Sequence, residues 1–158
     1  MIFFDIIKFK DCLKQDYRLL GLDVGTVRIG CALSDPQKFL ASGHSVFNLK
    51  KKKFTSAQLK EIIEKEKVYG IVVGHPLQMD GEQGSSCEMV NKFIQKYLIP
   101  LDHPIFMQDE RLSTSAVNRF FQEMELTRKQ QSSLNDKAAA SYILQSALDK
   151  LQYISKTS

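Results

Sequence analysis

The sequence predicts an α/β fold built on a five-stranded mixed sheet, three antiparallel strands followed by two parallel ones, with helices flanking it. Three observations predict it. Leu19–Val24 and Val68–Val73 are short, almost wholly apolar runs, as expected of strands covered on both faces. Gly25 and Thr26 separate the first run from a second strand-like segment, Arg28–Leu33, at hairpin spacing. From residue 55 onward strand-like runs alternate with helical stripes, the pattern of parallel strands joined by crossover helices.

Residues 1–16 stand apart as an N-terminal extension. Phe3, Ile6, Ile7 and Leu13 are placed on one helical face, with Lys8, Lys10 and Lys14 mostly elsewhere. A packing arm and a partner-binding arm both fit that pattern. After the hairpin, Ser34-Asp35-Pro36 reads as a turn and a third strand is placed within Leu40–Phe47. Lys50–Lys53 is a run of four lysines, either a solvated loop or a phosphate contact. Thr55-Ser56-Ala57-Gln58 has the form of a capping box, opening a helix with Leu59, Ile62 and Ile63 as its stripe.

The strand Val68–Val73 is read as ending at a turn-rich loop, Gly74–Gly84. Ser85-Ser86-Cys87-Glu88 looks like a second capping box, and Val90, Phe93, Ile94, Tyr97 and Leu98 keep helical spacing behind it. Pro104–Gln108 supplies the fifth strand, stopping at Asp109-Glu110-Arg111. Ser113 or Thr114 caps a third helix with Val117, Phe120, Phe121 and Met124 on its apolar side. Polar Glu125–Ser133, with Arg128 and Lys129, reads as a mobile loop. Asn135 then caps a last helix with the stripe Ala140, Ile143, Leu144, Ala147, Leu151 and Ile154.

Composition narrows the function classes. The chain has 158 residues, 43% hydrophobic and 25% charged, with a net charge of +4. One domain with a real core is the economical reading, and a mildly basic surface permits a polyanionic partner without requiring one. Cys12, Cys31 and Cys87 are odd in number and widely spaced, like reduced cytosolic thiols. His44, His75 and His103 show no zinc-ligand spacing. No run of about 18 apolar residues offers a membrane span, and the acid at Asp5 argues against a signal peptide. The expected location is the cytoplasm.

In sheets of this type functional groups collect at the carboxyl ends of the strands. Asp23, Gly74-His75 and Asp109-Glu110 fall at such ends. Asp136 opens the last helix by this reading, and steps of 4, 7 and 11 from it land on the buried stripe, so it faces inward. A favourable charge at a helix N-terminus would explain an acid there but not its inward phase. An ionised Asp23 on a buried strand needs a divalent metal, an arginine or a capped turn to compensate it. Carboxylates from three distant stretches can share a pocket if Mg²⁺ or a similar hard cation neutralises them. Paired ions of that kind serve phosphodiester cleavage.

The stretches G-L-D-V-G-T-V-R-I-G-C-A-L-S-D-P, I-V-V-G-H-P-L-Q-M-D-G, D-E-R-L-S-T and N-D-K-A-A-A-S-Y-I-L-Q-S together resemble the YqgF (RuvX) family, over about residues 17–150. The resemblance implies a ribonuclease H-like nuclease domain over residues 17–155, related to Holliday-junction resolvases. It implies a phosphodiester hydrolase that matures the 5′ end of pre-16S ribosomal RNA with Mg²⁺ or Mn²⁺, through Asp23, Glu110 and Asp136 as both metal ligands and catalytic residues. Thr26, Arg28, His75, Gln78, Arg111 and Lys137 would then meet the substrate. The implied partner is structured RNA, with branched DNA as the alternative substrate, and the implied assembly is a monomer or weak homodimer. The chain departs from the family pattern at Val27, Gln78 and His75, and it lacks the acid that true resolvases carry near the fourth strand end. A binding module that cleaves poorly is therefore a rival. An ATP-binding phosphotransferase is another, suggested by L-D-V-G-T, but it needs two lobes and this chain has length for one.

Overall fold

The computed structural model describes residues 1–51, 53–75, 85–109 and 128–157, with the backbone alone at 85–86, 128–135 and 156–157. In chain order the elements are β1 (Ile2–Phe3), α1 (Ile6–Cys12), β2 (Arg18–Val24), β3 (Arg28–Ser34), β4 (Ala41–Asn48), α2 (Ser56–Lys65), β5 (Val68–His75), α3 (Ser85–Phe93), β6 (Ile105–Asp109) and α4 (Arg128–Thr157). A π turn (Ile94–Leu98) and a 3₁₀ turn (Ile99–Leu101) continue α3. The strands form one sheet in the order β1-β6-β5-β2-β3-β4. β2, β3 and β4 pair antiparallel, while β5 runs parallel to β2 and β6 parallel to β5. The ribonuclease H-like α/β arrangement stands as expected, with six strands in place of five.

The extra strand is β1, whose Ile2 and Phe3 pair in parallel with Ile105 and Phe106. Two residues carry no readable period, so this strand exists only through its distant partner. Beyond it the arm turns into α1, where the Asp5 carboxylate accepts from the Ile7 N–H at 2.9 Å as the N-cap. The face expected from the sequence is corrected here. Phe3 belongs to the strand and Ile7 is exposed, whereas Phe9 is fully buried, its ring 5.4 Å from that of Phe106. Replacing Phe9 with alanine is expected to cost about 3–5 kcal/mol. Denaturant unfolding checks this, and activity per folded molecule should not change.

Helices cover both faces. Leu20, Leu22 and Val24 of β2 point to the α2–α3 side, packed with Leu59, Ile62, Ile63, Val90 and Phe93. Leu19, Ala32, Val72 and Phe106 point to the other side, against Phe9 of α1 and Ala140, Ile143, Leu144 and Ala147 of α4. The α2 capping box forms as expected, and its apolar stripe is buried. Two glycines let α4 lie directly on the sheet. A Cβ at Gly21 would come 2.7 Å from the Leu144 Cβ, and one at Gly30 would run into the carbonyl of Asp136.

Three expectations are corrected. Gly74 and His75 are strand rather than loop, paired with Gln108 and Asp109, because a parallel neighbour holds them extended. The fifth predicted strand ends at Asp109, one residue later than expected. Residues 128–133 are helix, not a loop. R-K-Q-Q-S-S contains no glycine or proline and its first four residues are good helix formers, so polarity there marks no break in structure. Asn135 accordingly does not cap α4, and Asp136 lies past its second turn. The third predicted helix, residues 113–124, lies outside the described residues, as do Gln78, Glu110, Arg111 and Lys52. The side chains of the second proposed capping box at 85–86, and those of Arg128 and Lys129, are likewise not described.

Candidate active site

At the carboxyl edge of the parallel strands α4 brings an acid down onto β3, beside the end of β2. Strand alternation decides the geometry. Leu19 and Gly21 face α4, so Asp23, two residues on, faces it too. Asp23 pairs with Gly30 on β3, and the Asp136 backbone sits directly over Gly30. Asp136 is therefore about one strand spacing, roughly 4.8 Å, to the side of Asp23 and on the same face. The inward phase expected of Asp136 holds, and its position inside α4 removes the alternative of a charge at a helix N-terminus.

Electrostatics reports the closeness. Burial, then the charge of Asp136, pushes the Asp23 carboxyl up to about 6. Burial also raises Asp136, against the pull of Arg28. Arg28 Nε lies 2.7 Å from Asp136 Oδ2. That ion pair is close but misaligned, because this buried oxygen has no hydrogen-bond partner with acceptable geometry among the described residues. Of the compensations open to a buried acid here, the structure thus supplies an arginine, and among the described residues it supplies it to Asp136 rather than Asp23. Sequence reasoning missed this pair. The signal was available in the β3 alternation, since Arg28, Gly30 and Ala32 share the α4 face.

Two carboxylates on one half-buried face, one with an oxygen lacking an aligned donor, are the hard oxygen donors that a divalent cation takes. Among the described residues no cluster of three or more metal-binding side chains forms. The described share of the expected triad is the pair Asp23 and Asp136, and Glu110 lies outside the described residues.

The other expected site residues divide. Thr26 is exposed at the hairpin tip, where the Gly25 N–H donates to the Arg28 carbonyl at 2.9 Å and the Leu49 N–H to the Val27 carbonyl at 2.8 Å. The Asn48 side chain accepts from the N–H groups of Lys50 and Lys51 at 3.0 and 3.1 Å. Since Asn48 pairs with Arg28, the start of the lysine run lies at this same edge. Lys137 lies over β4, its stem covering Gly43. His75 is buried and shares the parity of Ile71 and Val73, so it faces away from Asp23. Its ring meets Phe4 edge-on at 5.9 Å, and burial lowers its pKa against the pull of Asp109. Gln108, which the sequence pattern did not single out, is buried on the α4 face and accepts from Lys150 Nζ at 3.1 Å.

Comparison with known proteins agrees with this architecture. The family model described as "RuvX: Holliday junction resolvase" matches residues 17–150. A protein of Zymomonas mobilis subsp. mobilis named "Putative pre-16S rRNA nuclease" is 42% identical over 141 residues, covering 89% of this chain and 86% of its own. One of Rhodospirillum rubrum with the same name is 41% identical over 146 residues, covering 90% and 89%. Among solved structures, RuvC of T. thermophilus in complex with a Holliday junction substrate aligns with a TM-score of 0.52 over 85% of this chain and 96% of that one. At 13% identity that likeness concerns the fold. Sheet order, helix placement and a match spanning residues 17–150 lead to one conclusion: the chain belongs to the RuvX family.

Proposed function

We propose that the chain is a divalent-metal-dependent nuclease that processes the 5′ end of pre-16S ribosomal RNA. The observation that carries the reading is the pair Asp23 and Asp136, drawn from residues 113 apart in sequence onto one half-buried face at the cost of like-charge repulsion. The names of the relatives, pre-16S rRNA nucleases, support ribosomal RNA precursor as the proposed substrate class. Structured RNA is the proposed partner, branched DNA the alternative, and a cytoplasmic monomer or weak homodimer the proposed state. Among the described residues no helix is long and apolar enough to cross a membrane.

Asp23 and Asp136 would hold Mg²⁺ or Mn²⁺, with Glu110 as the third proposed ligand. The ion supplies Lewis-acid stabilisation of charge on the phosphate and activation of water, singly or as a pair. Arg28 fixes the Asp136 carboxylate from the side. The Gly25–Thr26 turn and the lysine run from Lys50 lie at the same edge as surfaces for RNA phosphates. Arg111 and Gln78 are further proposed contacts, as is Lys137 from its place over β4. His75 is proposed to support the edge from the opposite face, since its ring is turned away from the acids.

One observation favours a second reading, a binding module with weak cleavage. Asp23 and Gly74 each follow the last matched pair, Leu22 with Val73, so the position beside Asp23 has no side chain where resolvases carry an acid. Incubation of a 5′-extended small-subunit RNA precursor with the protein, with and without Mg²⁺, separates the two. Metal-dependent shortening at the 5′ end is expected. Tight binding with no cleavage in Mg²⁺ or Mn²⁺ would establish the second reading instead.

Mg²⁺ should also stabilise the fold, and more so at higher pH. Both acids have raised pKa values, so protons compete with the ion at pH 5 and much less at pH 7. At a concentration a hundredfold above its dissociation constant the ion adds about 2.7 kcal/mol. Thermal unfolding with and without Mg²⁺ at the two pH values checks this, the larger increment being expected at pH 7.

A further inference from the structure

At the end of the sheet opposite Asp23, where β2, β5 and β6 begin, a cavity of about 220 Å³ opens between the end of α1, the β3–β4 turn and the last turns of α4. Lys10, Lys14 and Lys38 line it together with Gln15, Gln37 and Gln152, and among the described residues no carboxylate does. Asp16 and Asp35 are the acids whose charge reaches Lys38, and neither lines the cavity.

The backbone gives an independent sign that a lysine is wanted at position 38. Lys38 has φ 63°. In that left-handed region a side chain costs about 1–2 kcal/mol, and glycine would remove the cost. Asp16 and Asp102 share the conformation, but aspartate tolerates it through local hydrogen bonding, an excuse lysine lacks. Two of the three ammonium groups are also held in place. Lys14 Nζ stands 4.6 Å from the Tyr69 ring centroid, and Lys38 Nζ donates to the Lys14 carbonyl at 2.9 Å. The Lys38 carbonyl is tied to α4 by the Gln152 amide at 3.0 Å.

We propose that this cavity binds phosphate groups of the RNA strand, as an anchoring site remote from the carboxylate pair. The length of β2, seven residues, puts it roughly 20 Å from Asp23. The inference rests on RNA being the substrate, but it does not require that the RNA be cut. An RNA held at both ends of the sheet is oriented before the scissile bond reaches the acids.

The test measures binding alone, on the full chain without divalent cations, using a labelled 5′-extended small-subunit precursor over a series of salt concentrations. Lys38→Gly should unfold no earlier than the parent, since relief of the left-handed φ offsets one exposed hydrogen bond. It should nevertheless bind more weakly, and the slope of log affinity against log salt should fall by about one unit for each phosphate that is no longer neutralised. The double variant Lys10→Gln with Lys14→Gln should bind more weakly still. Unchanged affinity and slope in both folded variants would overturn the proposal. So would an inorganic phosphate that raises the melting temperature of the parent but not of Lys38→Gly while RNA affinity stays the same, because the cavity would then serve a small free anion. A protein that binds as expected yet never cleaves contradicts the nuclease reading and leaves the anchoring site standing.

Discussion

Asp23→Asn is expected to abolish cleavage and, in the metal-free protein, to raise stability. Loss of an ion-holding ligand removes several kcal/mol of transition-state stabilisation, roughly a thousandfold or more in rate. RNA affinity should stay nearly intact, because the basic groups proposed to contact phosphate lie elsewhere. The stability effect follows from the raised carboxyl. A group whose pKa rises from 3.8 unfolded to about 6 folded contributes stability below pH 4 and loses it as pH climbs through 6. At pH 7 Asp23 is therefore a net cost of up to about 3 kcal/mol, which a neutral amide removes. The variant should melt above the parent at pH 7 without metal, and the gap should close near pH 4. A fully active Asp23→Asn protein, or one less stable than the parent at pH 7 without metal, would contradict the assignment. A site that costs stability to keep is the usual compromise between activity and folding.

Among the described glycines, Gly30→Ala is expected to be the most damaging substitution. The added Cβ would occupy the space of the Asp136 carbonyl, and both partners are backbone, so neither can swing aside. Ordinary overpacking costs about 1–3 kcal/mol, and this contact belongs at or beyond the upper end. Relief must come from lifting the start of α4, which carries Asp136 away from Asp23. The variant should thus lose stability, cleavage and the Mg²⁺ increment in melting temperature together. Gly21→Ala provides the comparison. Its Cβ would meet the Leu144 Cβ at 2.7 Å and the Ala140 carbonyl at 3.2 Å, both further along α4 than Asp136, and should destabilise while leaving the Mg²⁺ increment largely in place. A Gly30→Ala protein as stable as the parent and with an unchanged response to Mg²⁺ would show that α4 does not bear on β3 in this way.

Much of this was legible in the sequence because it is local. The runs at Leu19–Val24 and Val68–Val73, the hairpin at Gly25-Thr26 and the capping box at Thr55 are set by neighbours along the chain, and each forms where the pattern puts it. Asp136 was legible for the same reason, since helical phase from the Ala140–Ala147 stripe fixes its side without knowledge of what lies opposite. The parts that escaped are non-local. β1 exists because Phe3 finds Phe106, and Gly74-His75 are extended because Gln108 and Asp109 lie alongside. The start of α4 was hidden by a polar surface that carries no apolar stripe. Of the two acids described, the sequence signalled both, but not that Arg28 would hold one of them. His75 shows the limit of placing a residue by strand end alone. One step of alternation turned it to the opposite face of the sheet from Asp23.

The central claim, that Asp23 and Asp136 form one divalent-cation site, is tested most directly by following the Asp23 carboxyl carbon by NMR as a function of pH. Without metal the titration midpoint is expected near 6, lower in Asp136→Asn and lower again when Mg²⁺ is added to the parent protein. A midpoint in the ordinary carboxylate range, about 3.9, moved by neither Mg²⁺ nor Asp136→Asn, would show that the two acids do not share a site.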